Sequence, residues 1–260
     1  MVAGFELAVA LICAVVFAGM LGALMLGRRL ALARTKRAGG DSEAGVGAMN
    51  AAVFGLLGLL IAFTFSGAAT RFEGRRALIV QEANAIGTAY LRLDLLMPDA
   101  RAELQEKFRR YVDARLSAYR SRSMEEFRTT EARALGLQGE IWSQAVIAAE
   151  AKGRTGVPAA QVLLPALNEV IDISTTRTAA FENHPPSVIF AMLIVLAFLS
   201  ALVAGMGMSP THPSRVASIA FAAATSVTIY VTMDMEYPRR GLINISDADH
   251  LLADARRNMK

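Results

Sequence analysis

The sequence contains few of the residues from which catalytic, metal and disulfide sites are usually built. It has one cysteine, Cys13, which excludes an intrachain disulfide and a cysteine metal cluster. None of its three histidines stands in the His-Glu-x-x-His arrangement of zinc enzymes. Phosphate-binding glycine loops and the Gly-x-Ser-x-Gly turn of hydrolases are missing as well. We therefore expect a protein that is not an enzyme and that binds neither a cofactor nor a metal.

Charged residues are also scarce. They make up 19% of the chain, whereas soluble domains contain about 25%. Hydrophobic residues make up 54%, and 27 basic residues against 23 acidic ones leave a net charge of +4. So small an excess does not indicate a nucleic-acid-binding protein. The composition is typical of a membrane protein with basic residues at the ends of its spanning helices.

Four stretches are long and apolar enough to span a lipid bilayer, which takes about 20 residues of helix. The first, 5–26, has no basic segment before it and is longer than the apolar part of a signal peptide, so we expect it to be retained. The last two are separated by a short turn, which predicts an antiparallel hairpin. The other three stretches are 48–70, 187–208 and 216–233.

These spans predict an all-α chain in four parts. Residues 1–70 hold the first two membrane helices and a basic linker, 27–47, and residues 71–185 form a helical extramembrane domain. Residues 186–235 hold the last two membrane helices, and 236–260 form a C-terminal tail. Four crossings place both termini and the helical domain on one side. Six basic residues lie near the helix ends on each side, so the positive-inside rule does not choose the orientation.

The second span is predicted to continue as a helix beyond the membrane. Only isolated glycines interrupt it before Pro98, and residues 48–96 would form a helix of about 73 Å. Its outer half carries apolar residues at heptad spacing, which predicts a packing seam. Such a seam can serve a helical bundle core or join copies of the chain. Its members are Ile79, Ala83, Ile86, Tyr90 and Leu93.

Three more helices are predicted in the extramembrane domain. Pro98 is placed to open the first, because proline is tolerated in a first helical turn. Ser123 and Glu126 form a capping box at the start of the second. Pro158 opens the third, and Pro185 ends it at the membrane. No alternating strand pattern is present.

A candidate pore constriction lies in the second span. Gly55, Leu59 and Phe63 are four residues apart and therefore share one face of the helix. Several copies of the chain around an axis would bring these faces together. An apolar constriction of this kind can act as a gate by excluding water.

Three arginines, Arg71, Arg75 and Arg76, follow directly after this span. Arranged in a ring, they would form a mouth that attracts anions. Alternatively, they would anchor the helix end at the membrane surface or pair with Glu73 and Glu82. The spacing leaves both interpretations open.

On the first span, Ala14, Ala18 and Gly22 form a face of small residues. Small residues allow two membrane helices to approach closely, so we expect close helix packing at this face.

The end of the second span resembles the corresponding segment of bestrophin channels. Phe63, Ala68, Arg71, Phe72 and Arg76 follow the order and spacing of the pattern at the cytosolic end of their second helix. Residues 82–90 and 238–241 are similar to sequences typical of a bacterial family described as bestrophin-like. The resemblance extends over about residues 50–245, nearly the whole chain.

This resemblance implies a homo-oligomer, a pentamer in bestrophins, in the bacterial inner membrane. It implies that the termini and the helical domain are cytosolic, and that the second helix lines a pore with its neck at Gly55, Leu59 and Phe63. The partners would be the lipid bilayer and small anions such as chloride. The chain differs from bestrophins at Gly55, which is not bulky.

Two carboxylates, Asp234 and Glu236, stand at the end of the last span. A calcium ion takes six to eight oxygen ligands, so this pair does not predict a calcium site. We expect both to pair with Arg239 and Arg240 at a helix-end interface.

Two functions are consistent with the sequence. The first is an oligomeric bestrophin-like channel that passes small anions by passive diffusion. The second is a non-conducting membrane scaffold or signalling subunit that binds a partner through its helical domain. A secondary transporter is less favoured, because no acidic residue or histidine lies in the middle of a span to couple ions or protons.

Overall fold

The structure, a computed structural model, describes residues 2–35, 43–121, 123–150, 159–208, 214–239, 241–245 and 248–259. In these ranges the regular structure is helical throughout, which confirms the all-α prediction. The elements are α1 (Val2–Thr35), α2 (Glu43–Arg92), a 3-10 turn (Leu93–Leu95), α3 (Pro98–Arg120), α4 (Met124–Glu150), α5 (Ala160–Glu182), α6 (Ser187–Met206), α7 (Arg215–Glu236) and α8 (Asp249–Arg257).

Four segments of the described chain are long and apolar enough to cross a membrane. They lie in α1, in α2, in the stretch that includes α6, and in α7. The four spans and the extended second helix are therefore confirmed, and α2 is 50 residues long.

Several helix boundaries follow local sequence signals. Pro98 opens α3 as predicted, and the Ser123 hydroxyl accepts a hydrogen bond from the Glu126 N–H at 3.0 Å at the start of α4. The predicted linker 27–47 is shorter than expected, because α1 continues to Thr35 through a run of leucine and alanine, which favour helix. Residues 36–42 and Pro158 lie outside the described residues.

The chain divides into two compact units. The membrane unit comprises Val2–Phe72 and His184–Asn244, and the helical unit comprises Glu73–Asn183 and the C-terminal residues from Ile245. Helix α2 contributes residues to both.

In the membrane unit, α1 and α6 approach each other at glycines. A Cβ atom built on Gly27 would overlap the carbonyl oxygen of Leu202, and one built on Gly205 would overlap that of Leu24. Side chains from α1, α2, α6 and α7 complete the core around this contact. They are Val16, Met20, Leu24, Leu57, Leu193, Leu196, Ala197, Ala201, Ala222 and Ile229.

The predicted face of small residues on α1 is not where this packing occurs. Ala14, Ala18 and Gly22 are exposed, and a Cβ built on Gly22 meets no atom within 4 Å. Within the described part of the chain no helix covers this face, and close packing against it stays a prediction. Two other glycines of α1 contact α6. Gly19 lies against the Phe198 ring, and Gly27 lies against the backbone of Leu202.

Candidate functional site

The membrane segment of α2 is the least covered of the four spans. In its most apolar stretch 11% of the residues are buried within the chain, against 28% in α1 and in α7. Leu59 is 53% exposed and Phe63 67%, and a Cβ built on Gly55 would meet no atom within 4 Å. The three residues of the candidate constriction therefore lie on a surface that this chain leaves open.

The three arginines of the candidate mouth have separate partners. Arg71 donates from Nε to both carboxylate oxygens of Glu236, at 2.9 and 3.1 Å, and its Nη2 also contacts that carboxylate. Glu236 is fully buried. Its predicted pairing with Arg239 and Arg240 stays a prediction, and Arg240 lies outside the described residues. The pairing with Arg71 joins residues 165 positions apart, for which the sequence carries no local signal.

Arg75 lies in the helical unit and is buried. Its guanidinium donates to the carbonyl oxygens of Ala180 at 3.1 Å and Asn183 at 2.9 Å. These carbonyls belong to the C-terminal end of α5, where helical carbonyls lack partners within the helix. Arg75 thus caps α5. Arg76 is exposed, and its Nη1 lies 3.1 Å from Glu73 on the same helix, a pairing that the sequence left open.

Asp234 fixes the chain that follows α7. Its carboxylate is buried and accepts hydrogen bonds from the backbone N–H groups of Leu242 at 3.1 Å and Ile243 at 2.7 Å. A Cβ on Gly241 would overlap this carboxylate, which explains the glycine. The predicted pairing of Asp234 with Arg239 and Arg240 stays a prediction. Arg239 is partly buried, and Arg240 lies outside the described residues.

The heptad seam of α2 lies in the core of the helical unit. Ile79, Ile86 and Leu93 are fully buried, Ala83 is partly buried, and the Tyr90 hydroxyl accepts a hydrogen bond from Arg109 at 2.9 Å. Side chains of the same chain cover this face, as expected for the core of a helical bundle. The covering residues include Leu104, Phe108, Val112, Leu163, Leu167 and Val170.

A buried ionic cluster organises the same core. Glu82 is fully buried and accepts from Arg115 Nε at 2.8 Å, from the Tyr119 hydroxyl at 3.0 Å and from Arg177 Nη1. The guanidinium of Arg177 lies 3.6 Å from the Tyr119 ring centre and also pairs with Asp249 of α8 at 3.0 Å. Burial and the Glu82 carboxylate raise the pKa of Tyr119, which keeps the phenol a hydrogen-bond donor.

The described residues contain no group of three or more histidine, cysteine, aspartate or glutamate side chains that could hold a metal ion. Among the described residues, buried carboxylates hold two ion-pair sites, one around Glu236 in the membrane unit and one around Glu82 in the helical unit.

Comparison with known proteins agrees with this architecture. A family model described as the bestrophin-like domain matches residues 8–249. The crystal structure of a membrane protein superposes with a TM-score of 0.59 at 13% sequence identity, covering 94% of this chain and 97% of the other. Identity this low shows a similar fold alone. No curated protein matches the sequence. The chain is a multi-pass membrane protein and belongs to the bestrophin-like family.

Proposed function

We propose that this protein assembles into a homo-oligomeric channel that passes small anions such as chloride by passive diffusion. The observation that carries the proposal is the open apolar face of α2 at Leu59 and Phe63, in a span that its own chain hardly covers. Membership of the bestrophin-like family supports a channel-type function, and the bacterial inner membrane with a cytosolic helical unit is the proposed location.

The change from apolar to polar side chains along this face of α2 is suited to a gate. Leu59 and Phe63 are bulky and apolar, whereas Ser66 and Thr70, three and seven residues after Phe63, are exposed hydroxyl residues on the same side of the helix. Copies arranged around an axis would form an apolar constriction followed by a polar section. Water leaves an apolar constriction readily, so Phe63 is the proposed gate.

Arg71 supplies positive charge next to this face. A Cβ built on Gly67 would lie 3.3 Å from Arg71 Nη1, so the guanidinium folds back along α2 towards the turn after Phe63. Glu236 neutralises much of its charge, but the Arg71 side chain remains 33% exposed. A partly exposed guanidinium beside a narrow path favours anions over cations.

Chloride flux from liposomes tests the proposal. Purified protein is reconstituted, and chloride and potassium fluxes are measured separately for the wild type and Phe63→Ala. We expect the wild type to release chloride faster than potassium. Phe63→Ala should increase chloride flux several-fold, because it removes the bulk of the proposed gate.

Phe65→Ala is the matched control. Phe65 is also an exposed phenylalanine of α2, but two residues along the helix it faces away from Phe63. Its substitution should leave flux at the wild-type level. Folded and oligomeric protein without flux in any variant would contradict a channel and favour the scaffold interpretation.

A further inference from the structure

His184 lies beside the Arg71–Glu236 pair of the membrane unit. Its Nδ1 is 4.0 Å from Glu236 Oε2, and its ring stacks on Tyr237 with 4.6 Å between centres and 26° between planes. The histidine side chain is 31% exposed, whereas Glu236 is almost wholly buried. Protons from water can therefore reach the imidazole while the carboxylate beside it stays inside the protein.

The charged and titratable residues around His184 determine how its protonation affects this site. His184 faces Glu236, the last residue of α7, and Tyr237, which follows it. The Glu236 carboxylate also pairs with Arg71 of α2. Asp234 is occupied by backbone N–H groups. Arg75 donates to the carbonyl of Asn183, the residue before His184, and Arg239 follows Tyr237 by two residues.

We propose that His184 is an acid-sensitive switch that competes with Arg71 for Glu236. Neutral imidazole leaves the carboxylate to Arg71. Protonated imidazole is a second cation within 4.0 Å of the same carboxylate, which weakens the hold on Arg71. The released guanidinium is already partly exposed beside Gly67 on α2, so acid increases the positive charge next to the proposed path.

The switch regulates the proposed pore, and its effect on flux rests on that proposed function. Histidine ordinarily titrates near pH 6.5, so chloride flux should rise several-fold between about pH 8 and pH 5.5. His184→Gln should make flux independent of pH over this range and leave it at the level of the alkaline end. His184→Lys, which carries a permanent charge, should give the acid level throughout.

His250→Gln is the matched control, because His250 lies in α8 of the helical unit. It should keep the wild-type pH dependence. The switch is overturned if His184→Gln retains that dependence, or if His184→Lys responds to pH as the wild type does.

A second measurement separates failure of the switch from failure of the channel. Thr70→Cys in a Cys13→Ser background places a thiol next to Arg71. The ratio of its reaction rates with an anionic and a neutral thiol reagent, taken in detergent, reports local positive charge without any flux. The ratio should rise several-fold on acidification and stay constant when His184→Gln is added. A rising ratio without flux supports the switch and contradicts the channel, whereas a constant ratio with chloride flux overturns the switch alone.

Discussion

Gly27→Ala and Gly205→Ala should each disrupt the packing of α1 on α6. The added methyl group would lie 2.9 Å from the carbonyl carbon of Leu202 in the first variant and 2.8 Å from that of Leu24 in the second. Both obstacles are backbone atoms, so the helices themselves must separate. Overpacking costs about 1–3 kcal/mol and sometimes more. We expect thermal unfolding in detergent to occur several degrees lower.

Gly22→Ala provides the control on the same helix. A Cβ at this position meets no atom within 4 Å, and alanine is favoured over glycine inside a helix by about 0.5–1 kcal/mol. Gly22→Ala should therefore unfold at the wild-type temperature or slightly above it. Equal unfolding temperatures for Gly22→Ala and Gly27→Ala would contradict the close approach of α1 and α6.

Glu82→Gln should strongly destabilise the helical unit. The carboxylate contacts both Arg115 and Arg177, and all three side chains are buried. Without its charge the two guanidinium groups remain in the core beside each other. Removing one partner of a buried ion pair costs about 3–5 kcal/mol. Thermal unfolding and resistance of the helical unit to protease both measure this loss.

Glu73→Gln is the matched control, because it makes the same substitution on the same helix. Glu73 pairs with Arg76, and both side chains are more than half exposed. Exposed ion pairs contribute about 0–1 kcal/mol, so this variant should behave almost as the wild type. A comparable loss of stability in both variants would show that Glu82 is not the centre of the core.

The spans and the length of α2 could be predicted because each depends on a continuous local pattern. Apolar runs identify the spanning helices, and the absence of a helix breaker before Pro98 extends α2. The heptad pattern of α2 likewise identified an apolar face. It did not identify what covers that face, and the structure shows helices of the same chain against Ile86 and Leu93.

The polar contacts depend on residues that are distant in sequence. Arg71 and Glu236 are 165 positions apart, and no local pattern joins them. Glu82 did carry a signal, because it lies between Ile79 and Ile86 at helical spacing, on the apolar side of α2. A charged residue on such a face requires a buried partner of opposite charge. Its partners, on α3 and α5, follow only from the tertiary fold.

Access of water to α2 in the membrane tests the proposed pore most directly. Single cysteines are introduced in a Cys13→Ser background, and reconstituted protein is treated with a charged thiol reagent that does not cross lipid. Leu59→Cys and Ser66→Cys, on either side of Phe63, should react, whereas Phe65→Cys should be protected by lipid or protein. Protection at both positions 59 and 66, in protein that is folded and oligomeric, would contradict a water-filled path along this face of α2.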